Sequence, residues 1–502
     1  WTSRLSGGSF GETDSYDSML EKYVEKEVQL GGDGTIVLGY DDFIQTIDEI
    51  RVSVELFGIM KSTGFPIIEP ERGGASARET GKAPDISAPN DVLDGRRLFK
   101  HLILINYIRI EGKWPEMEYT GKERSKLWKL HARSVMTVGD DDYLLSDWDT
   151  AEIVRIGEFN YHEDYLELMT DKACAPVASL VKKFYRGEGD RSKRRILREM
   201  LSTPVVDTRK LMDRFAQNML SDDERSILLA PKEKEFKLAA RMFCMMTFTV
   251  RLILSIVQEN VKETIFKYLP YQSMTMDRTT LTKTLLSMTA PKDGVDTLLL
   301  EVDFSRWNLK FRNLVIRGYG RSMDKMLGVE NIMGRTHEIF SRSTIAVFSR
   351  DRAIPQFEKR YWTDGDSDMM WTGHDGGFEG IDQAGMTVAT IVMVYKALRK
   401  MDITFQLLGQ GDNQTLAIRP SLKVNMESFA KQCMTRIEWT SRRMNHEAKP
   451  EEFIASTNVL TYSKMFIVNG TIVPMELKYL SGIVAATTTD IPAIGDAFAS
   501  VS

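Results

Sequence analysis

Two aspartates of the chain sit where strands should end. Thr297-Leu-Leu-Leu-Glu-Val-Asp303 reads as a buried strand that closes on Asp303, and Phe304-Ser-Arg-Trp-Asn-Leu-Lys-Phe-Arg312 reads as helical after it. Farther on, Ile403-Thr-Phe-Gln-Leu-Leu408 alternates weakly and Gly409-Gln-Gly-Asp-Asn413 supplies turn chemistry. Gln414 to Ile418 then alternates again with Leu416 and Ile418 on one face. That pattern predicts a β-hairpin with Asp412 at its tip. Carboxylates on two neighbouring strand ends are the hard ligands that divalent cations need when they clamp an attacking 3′-hydroxyl and a leaving pyrophosphate. A Gly-Asp-Asn triplet by itself is a weak signal, since residue frequencies place one in roughly one chain in ten of this length.

Other chemistries lose ground by what the sequence lacks. It has no Gly-x-x-x-x-Gly-Lys-Ser/Thr loop, no Gly-x-Ser-x-Gly elbow, no His-Glu-x-x-His and no Gly-x-Gly-x-x-Gly opening a helix after a strand. This argues against an ATPase, a serine hydrolase, a zinc protease and a dehydrogenase. Cys174, Cys244 and Cys433 lie far apart and only six histidines accompany them, which predicts a reducing compartment and no structural zinc. The longest apolar run, Met242 to Val257, is cut by Arg251, so a soluble chain is expected. A net charge of −5 disfavours a general nucleic-acid coat but leaves room for a basic tunnel inside an acidic shell.

The elements that must carry these residues are partly legible. Helical spacing from Phe43 to Lys61 predicts a buried helix stopped by Gly64-Phe65-Pro66, and Leu98 to Ile110 predicts another, broken at Trp114-Pro115. Between them Gly73, Gly74, Gly81, Pro84 and Pro89 predict a loop, and residues 1–40 predict an ordered strap or edge. Two stretches are basic: Lys182 to Arg198, and Lys232 to Arg241, whose cations precede an apolar run. No repeat or Gly/Ser linker appears, which favours interlocked subdomains. The first residue, Trp1, and the uncapped end at Ser502 suggest an internal piece of a longer polypeptide.

The order of these signals resembles the polymerase region of the large (L) protein of non-segmented negative-strand RNA viruses, from about Glu55 to Leu480. Gly411-Asp-Asn-Gln414 is similar to that family's motif C, Asp303-Phe-Ser-Arg-Trp-Asn308 to motif A, and Gly376-Gly-Phe-Glu-Gly380 with Asp382, Gln383 and Gly385 to motif B. Lys232-Glu-Lys-Glu-Phe-Lys237 through Arg241 and Phe243 resembles motif F, His446-Glu-Ala-Lys449-Pro-Glu-Glu452 motif D, and Tyr462-Ser-Lys464 ahead of Asn469-Gly470 motif E. Upstream, Glu55 to Lys61, Gly64-Phe-Pro66 and Gly112-Lys-Trp-Pro115 also look like the family, although Phe65 stands where His often precedes Pro.

The resemblance implies an α+β right-hand polymerase: helix-rich fingers, a palm with a small antiparallel sheet, and the start of a thumb. The implied boundaries are an N-terminal region packing on the fingers (1–178), fingers with motif F (179–290), palm motif A (291–320), a fingers insertion (321–369), palm motifs B to E (370–480) and a truncated thumb (481–502). It implies RNA-dependent RNA polymerase activity for viral transcription and replication, with Asp303 and Asp412 as ligands of Mg²⁺ or Mn²⁺ and Asn413 and Lys449 beside them in catalysis. Lys237, Arg241, Gly380 and Gln383 are then expected at the nucleotide, and Gly376, Gly377, Tyr462 and Lys464 at template or primer. Implied partners are template and nascent RNA, nucleoside triphosphates, a viral phosphoprotein and a nucleoprotein-coated genome, with no membrane. The implied location is the virion and the infected cell, in cytoplasm rather than nucleus.

Blander roles compete at each position. Asp303 could be a helix N-cap, Asn413 a turn former, Lys237 and Arg241 snorkelling surface cations, and Gly376, Gly377 and Gly380 ordinary loop glycines. Gln383 could be a satisfied core amide, Lys449 a surface lysine before proline, and Tyr462 and Lys464 braces of the palm. A non-catalytic, endogenised remnant that keeps the fold as an RNA-binding platform is the alternative for the whole chain.

Overall fold

The computed structural model describes residues 12–29, 31–59, 70–121, 125–169, 173–185, 194–231, 240–290, 294, 296–347, 369–448, 453–463 and 465–477. The chain mixes helices with several small sheets. At its centre lies a four-stranded, wholly antiparallel sheet in the order Ile403–Gln410, Asn413–Pro420, Leu298–Val302, Ile454–Ser456. Strand residues alternate between the two faces. Leu298, Leu300, Val302, Leu407, Leu416 and Ile418 therefore join the main core, while Leu299, Leu408 and Ala417 join a second cluster with Leu285, Met288, Leu460 and Ile467. Because both faces are covered, the Asp303 strand reads in the sequence as an apolar run, Leu298-Leu-Leu300 and Val302, interrupted by Glu301, rather than as a clean alternation. The helix Gln383–Leu398 packs on the hairpin strand Ile403–Gln410 and on the helix Met426–Arg442.

A second four-stranded sheet runs Met370–Trp371, Thr344–Val347, Ser226–Pro231, Met242–Met246, with one parallel pairing between Ser226–Pro231 and Thr344–Val347. Residues 344–347 of the expected insertion are thus woven into the same sheet as the strand that follows Arg241. A meander of Val459–Tyr462, Met465–Val468 and Thr471–Val473 completes the carboxy-terminal part.

The predicted hairpin and the strand before Asp303 are present, but several other expectations need correction. The expected loop between Gly73 and Pro89 begins as a helix, Pro70–Lys82, with Pro in its first position and Glu71 in its first turn. Its glycines weaken the helix intrinsically, yet Gly73 and Gly81 face neighbours too close for any side chain: a Cβ on Gly73 would lie 2.3 Å from the Ala240 carbonyl oxygen, and one on Gly81 1.8 Å from Cε1 of His374. Packing overrides propensity there.

The helix expected over 98–110 starts earlier, at Pro89, and runs to Glu111, where Gly112 closes it with a left-handed φ of 64°. The single helix expected over 43–61 is two, Thr35–Gln45 and Ile50–Ile59, because the Thr46 hydroxyl donates to the Phe43 carbonyl and ties off the first. The strap expected at the amino terminus contains a helix, Glu12–Gln29, whose Glu27 carboxylate accepts the first free N–H groups of the next helix, from Ile36 and Val37. After Asp303 the chain pairs Phe304–Ser305 with Glu447–Ala448, makes one turn at Trp307–Lys310, and only then enters the long helix Asn313–Met326. No described helix is long and apolar enough to cross a membrane.

Candidate active site

The hairpin register brings the two aspartates to one end of the sheet. Val302 pairs with Gln414, so Asp303 leaves its strand one position beyond that pair, next to the Gly411-Asp412 turn. Gly411 takes the positive φ of the turn, 62°, and its N–H donates to the Thr387 hydroxyl at 3.2 Å, while Gln414 Nε2 donates to the Gly411 carbonyl at 2.9 Å. The Trp307 indole packs against Gly411 and donates to the Thr390 hydroxyl at 2.8 Å. Thr387 and Thr390, three positions apart on the helix Gln383–Leu398, thus hold the Asp412 turn and the segment after Asp303 to one rigid rod. Asn413 is not the positive-φ residue, and its Nδ2 donates to Asp412 Oδ1 at 3.3 Å. Asp303 caps no helix: the residues before the next two helices are Arg306 and Arg312.

Asp303 and Asp412 line one cavity of about 500 Å³ together with Arg241 and Glu379. Arg306, Trp307 and Asn308 form one wall, and Gly73, Ser76 and Ala77 of the unforeseen helix form another. The Arg241 guanidinium pairs with the Glu379 carboxylate at 3.1 Å. Burial pushes the Asp412 carboxyl above its ordinary range, Arg241 works against that shift, and Glu379 adds to it. Deeper in the sheet, burial also raises Glu301, which accepts from the Thr461 hydroxyl and feels Asp303. The cavity therefore gathers carboxylates at one place, where a bound cation would be favoured.

Other expected site residues are placed differently. Gly376 and Gly377 do not line the cavity: the Gly377 N–H donates to the Asn308 carbonyl at 3.0 Å, and a Cβ on Gly376 would lie 2.4 Å from the Leu309 carbonyl oxygen. Their missing side chains let motif B lie against the backbone of motif A, and it is Phe378 and Glu379 that reach the cavity. Gly380 has φ 94° and, like Gln383, is outside the cavity lining. Tyr462 is 3% exposed, with its hydroxyl bonded to Ser273 Oγ at 2.5 Å and Gln410 Oε1 at 2.6 Å, so it braces the end of the hairpin. Lys237, Lys449 and Lys464 lie outside the described residues.

Sequence reasoning missed Glu379, Arg306 and Asn308 as residues of the cavity. All three stand inside the motif A and motif B segments, but only the third dimension shows which members of a motif face inward. The Asn308 side-chain oxygen is buried and has no hydrogen-bond partner among the described residues. Arg306 donates to the Thr80 hydroxyl at 2.7 Å and so joins the same wall to the helix Pro70–Lys82. Arg312, 2% exposed, completes that joint by donating to the carbonyls of Leu309, Phe311, Thr80 and Ala83 at 2.8–3.2 Å.

Asp382, which precedes the helix carrying Thr387, is 2% exposed, and its Oδ2 accepts from the Thr336 hydroxyl at 2.8 Å. Burial pushes its carboxyl up to about 7, against the lowering effect of Thr336 and the Gly385 N–H. A folded-state value above the unfolded one favours the neutral acid, so its contribution is full below pH ~4 and lost as pH rises through about 7. The chain is expected to lose stability between pH 5 and pH 8 by an amount that Asp382→Asn largely removes. Urea midpoints of both proteins at the two pH values measure it, and parallel profiles would contradict the assignment.

A mixed α/β chain with paired strand-end carboxylates and a facing arginine in one cavity has the parts of a phosphoryl-transfer site. Residues 25–502 match the family model described as Mononegavirales RNA dependent RNA polymerase, and the chain belongs to that family. It is 26% identical over 467 residues to the RNA-directed RNA polymerase L of Maize mosaic virus, covering 89% of this chain and 24% of that protein. The corresponding L protein of Tupaia virus is 23% identical over 505 residues, covering 96% and 24%. The Large structural protein of Mokola virus is 25% identical over 384 residues, covering 72% and 18%. The chain spans about a quarter of the length of the first two relatives.

Proposed function

We propose that this chain is the catalytic part of a polymerase that copies an RNA template for transcription and replication of a negative-strand RNA genome. The observation that carries the reading is the convergence of Asp303, Asp412 and Arg241 on one cavity in a chain of this family. In the right-hand description, the central sheet with both aspartates corresponds to the palm, and the segments carrying Arg241 correspond to the fingers.

The carboxylates fit Mg²⁺ or Mn²⁺: their donors are hard oxygens, two rather than a closed cage, which leaves coordination positions for phosphate oxygens and water. Among the described residues no set of three or more His, Cys, Asp or Glu side chains forms a metal cluster. Asp303 and Asp412 would hold the cations, and when bound these lower the pKa of the 3′-hydroxyl and neutralise charge on the triphosphate. The chain's own contribution is positional. Thr387 and Thr390 fix the aspartates' segments to one helix, Arg241 presents a guanidinium suited to bidentate phosphate contact, and the wall of Trp307 and Asn308 shapes the space for the nucleotide. Arg241 and Lys237 as nucleotide contacts, Lys449 as a proton donor, and Lys464 beside the primer are parts of the same reading. So are the phosphoprotein and nucleoprotein partners and a cytoplasmic site of action.

The test uses the complete polymerase with an RNA template and the four nucleoside triphosphates. Products complementary to the template are expected with Mg²⁺ or Mn²⁺ and should disappear with a chelator, returning when the cation is restored. RNA binding without any synthesis under all these conditions would instead favour the non-catalytic platform.

A further inference from the structure

The ion pair between Arg241 and Glu379 joins two segments 138 positions apart, and both partners line the cavity that holds Asp303 and Asp412. Arg241 stands just before the strand Met242–Met246; Glu379 stands in the loop ahead of the helix Gln383–Leu398. The guanidinium that the preceding reading gives to a triphosphate is therefore engaged by a carboxylate of the protein itself. A phosphate group and a carboxylate compete for the same planar fork of donors, so both cannot hold it fully. We propose that Glu379 is a latch on the nucleotide site: it holds the Arg241 guanidinium until a triphosphate displaces it. The proposal rests on the polymerase reading and adds to it a residue that sets how strongly an anion must bind to enter.

The pair is built to be opened. The Arg241 side chain is 46% exposed and the Glu379 side chain 23%, so water screens their attraction and the pair is weak. A triphosphate carries several charges and meets the guanidinium with more than one oxygen, which is enough to displace one carboxylate. A singly charged anion gains too little. Asp412 feels both partners with opposite signs, so the exchange takes place within the field of the carboxylates that carry the chemistry. Glu379 acts through Arg241 and is a positioning residue rather than a catalytic one.

The experiment measures single-nucleotide incorporation by the complete polymerase, with inorganic tripolyphosphate as a competing probe, for wild type, Glu379→Gln, Arg241→Ala and the double variant. Glu379→Gln keeps the size of the side chain and removes the charge. It is expected to lower the KM for each of the four nucleotides, and the Ki of tripolyphosphate, by about two- to five-fold, the range set by a partly exposed ion pair. Arg241→Ala is expected to raise the KM, and in that background Glu379→Gln should change neither constant further. The latch is overturned if Glu379→Gln leaves both constants at or above wild type, or lowers them equally with Arg241 absent, because the carboxylate would then act on the substrate directly. A raised KM in Arg241→Ala with no effect of Glu379→Gln discards the latch and leaves the nucleotide role of Arg241 standing. Products independent of template would discard the polymerase reading itself.

Discussion

RNA synthesis by the complete polymerase is expected to fall by at least ~10³-fold in Asp303→Ala or Asp412→Ala, with RNA affinity nearly unchanged. Cations held by such carboxylates stabilise charge that develops in the transition state, and losing several kcal/mol of that stabilisation costs three or more decades of rate. Protein–RNA affinity is in general set mainly by cations contacting phosphates, and neither substitution removes a cation. Asp412→Asn separates chemistry from folding. It keeps the volume at the hairpin tip and removes a charge whose burial the fold disfavours, so this variant should be at least as stable as wild type and still inactive. Primer extension at the wild-type rate by either alanine variant would sink the assignment of the pair.

The second large effect is on stability. Arg312 is a buried cation whose two terminal nitrogens serve four carbonyl oxygens, two in the segment after Asp303 and two at the end of the helix Pro70–Lys82. Arg312→Met fills similar space and leaves those carbonyls short of donors in the interior, at a cost of about 3 kcal/mol or more. Because the same joint holds one wall of the cavity, activity should fall with stability rather than independently of it. Arg312→Lys retains a charge but not the fork, and is expected to recover only part of the loss. Chemical unfolding of the three proteins measures this, and a methionine variant as stable as wild type would refute the structural role.

The Gly81 contact belongs to the same joint. His374 stacks on Phe378 with ring centres 4.2 Å apart and occupies the space that a Gly81 side chain would take, and burial lowers the imidazole to about 3, so it packs as a neutral ring. Nothing local announces this. Glycines in a run such as Pro-Glu-Arg-Gly-Gly-Ala-Ser-Ala-Arg-Glu-Thr-Gly-Lys read as loop punctuation, since intrinsic preference is all that a local reading can weigh. The neighbours that make the helix worthwhile come from residues 240 and 374.

What the sequence by itself determined were the features written in short-range periodicity and turn chemistry: the strand that ends at Asp303, the hairpin with Asp412 at its tip, and the motif order that points to the family. Those signals are local because strand alternation and a glycine at positive φ are properties of a few consecutive residues. Tertiary structure alone decided the register that sets Val302 opposite Gln414, by which the two aspartates, expected together, share one cavity with Arg241 and Glu379. It also decided that the motif B glycines serve backbone contact with Asn308 and Leu309 while Glu379 faces Arg241, and that Tyr462 braces the hairpin from within. Each of these depends on which segment packs against which, and burial, ion pairing and close backbone approach are set by partners dozens to hundreds of residues away rather than by neighbours along the chain.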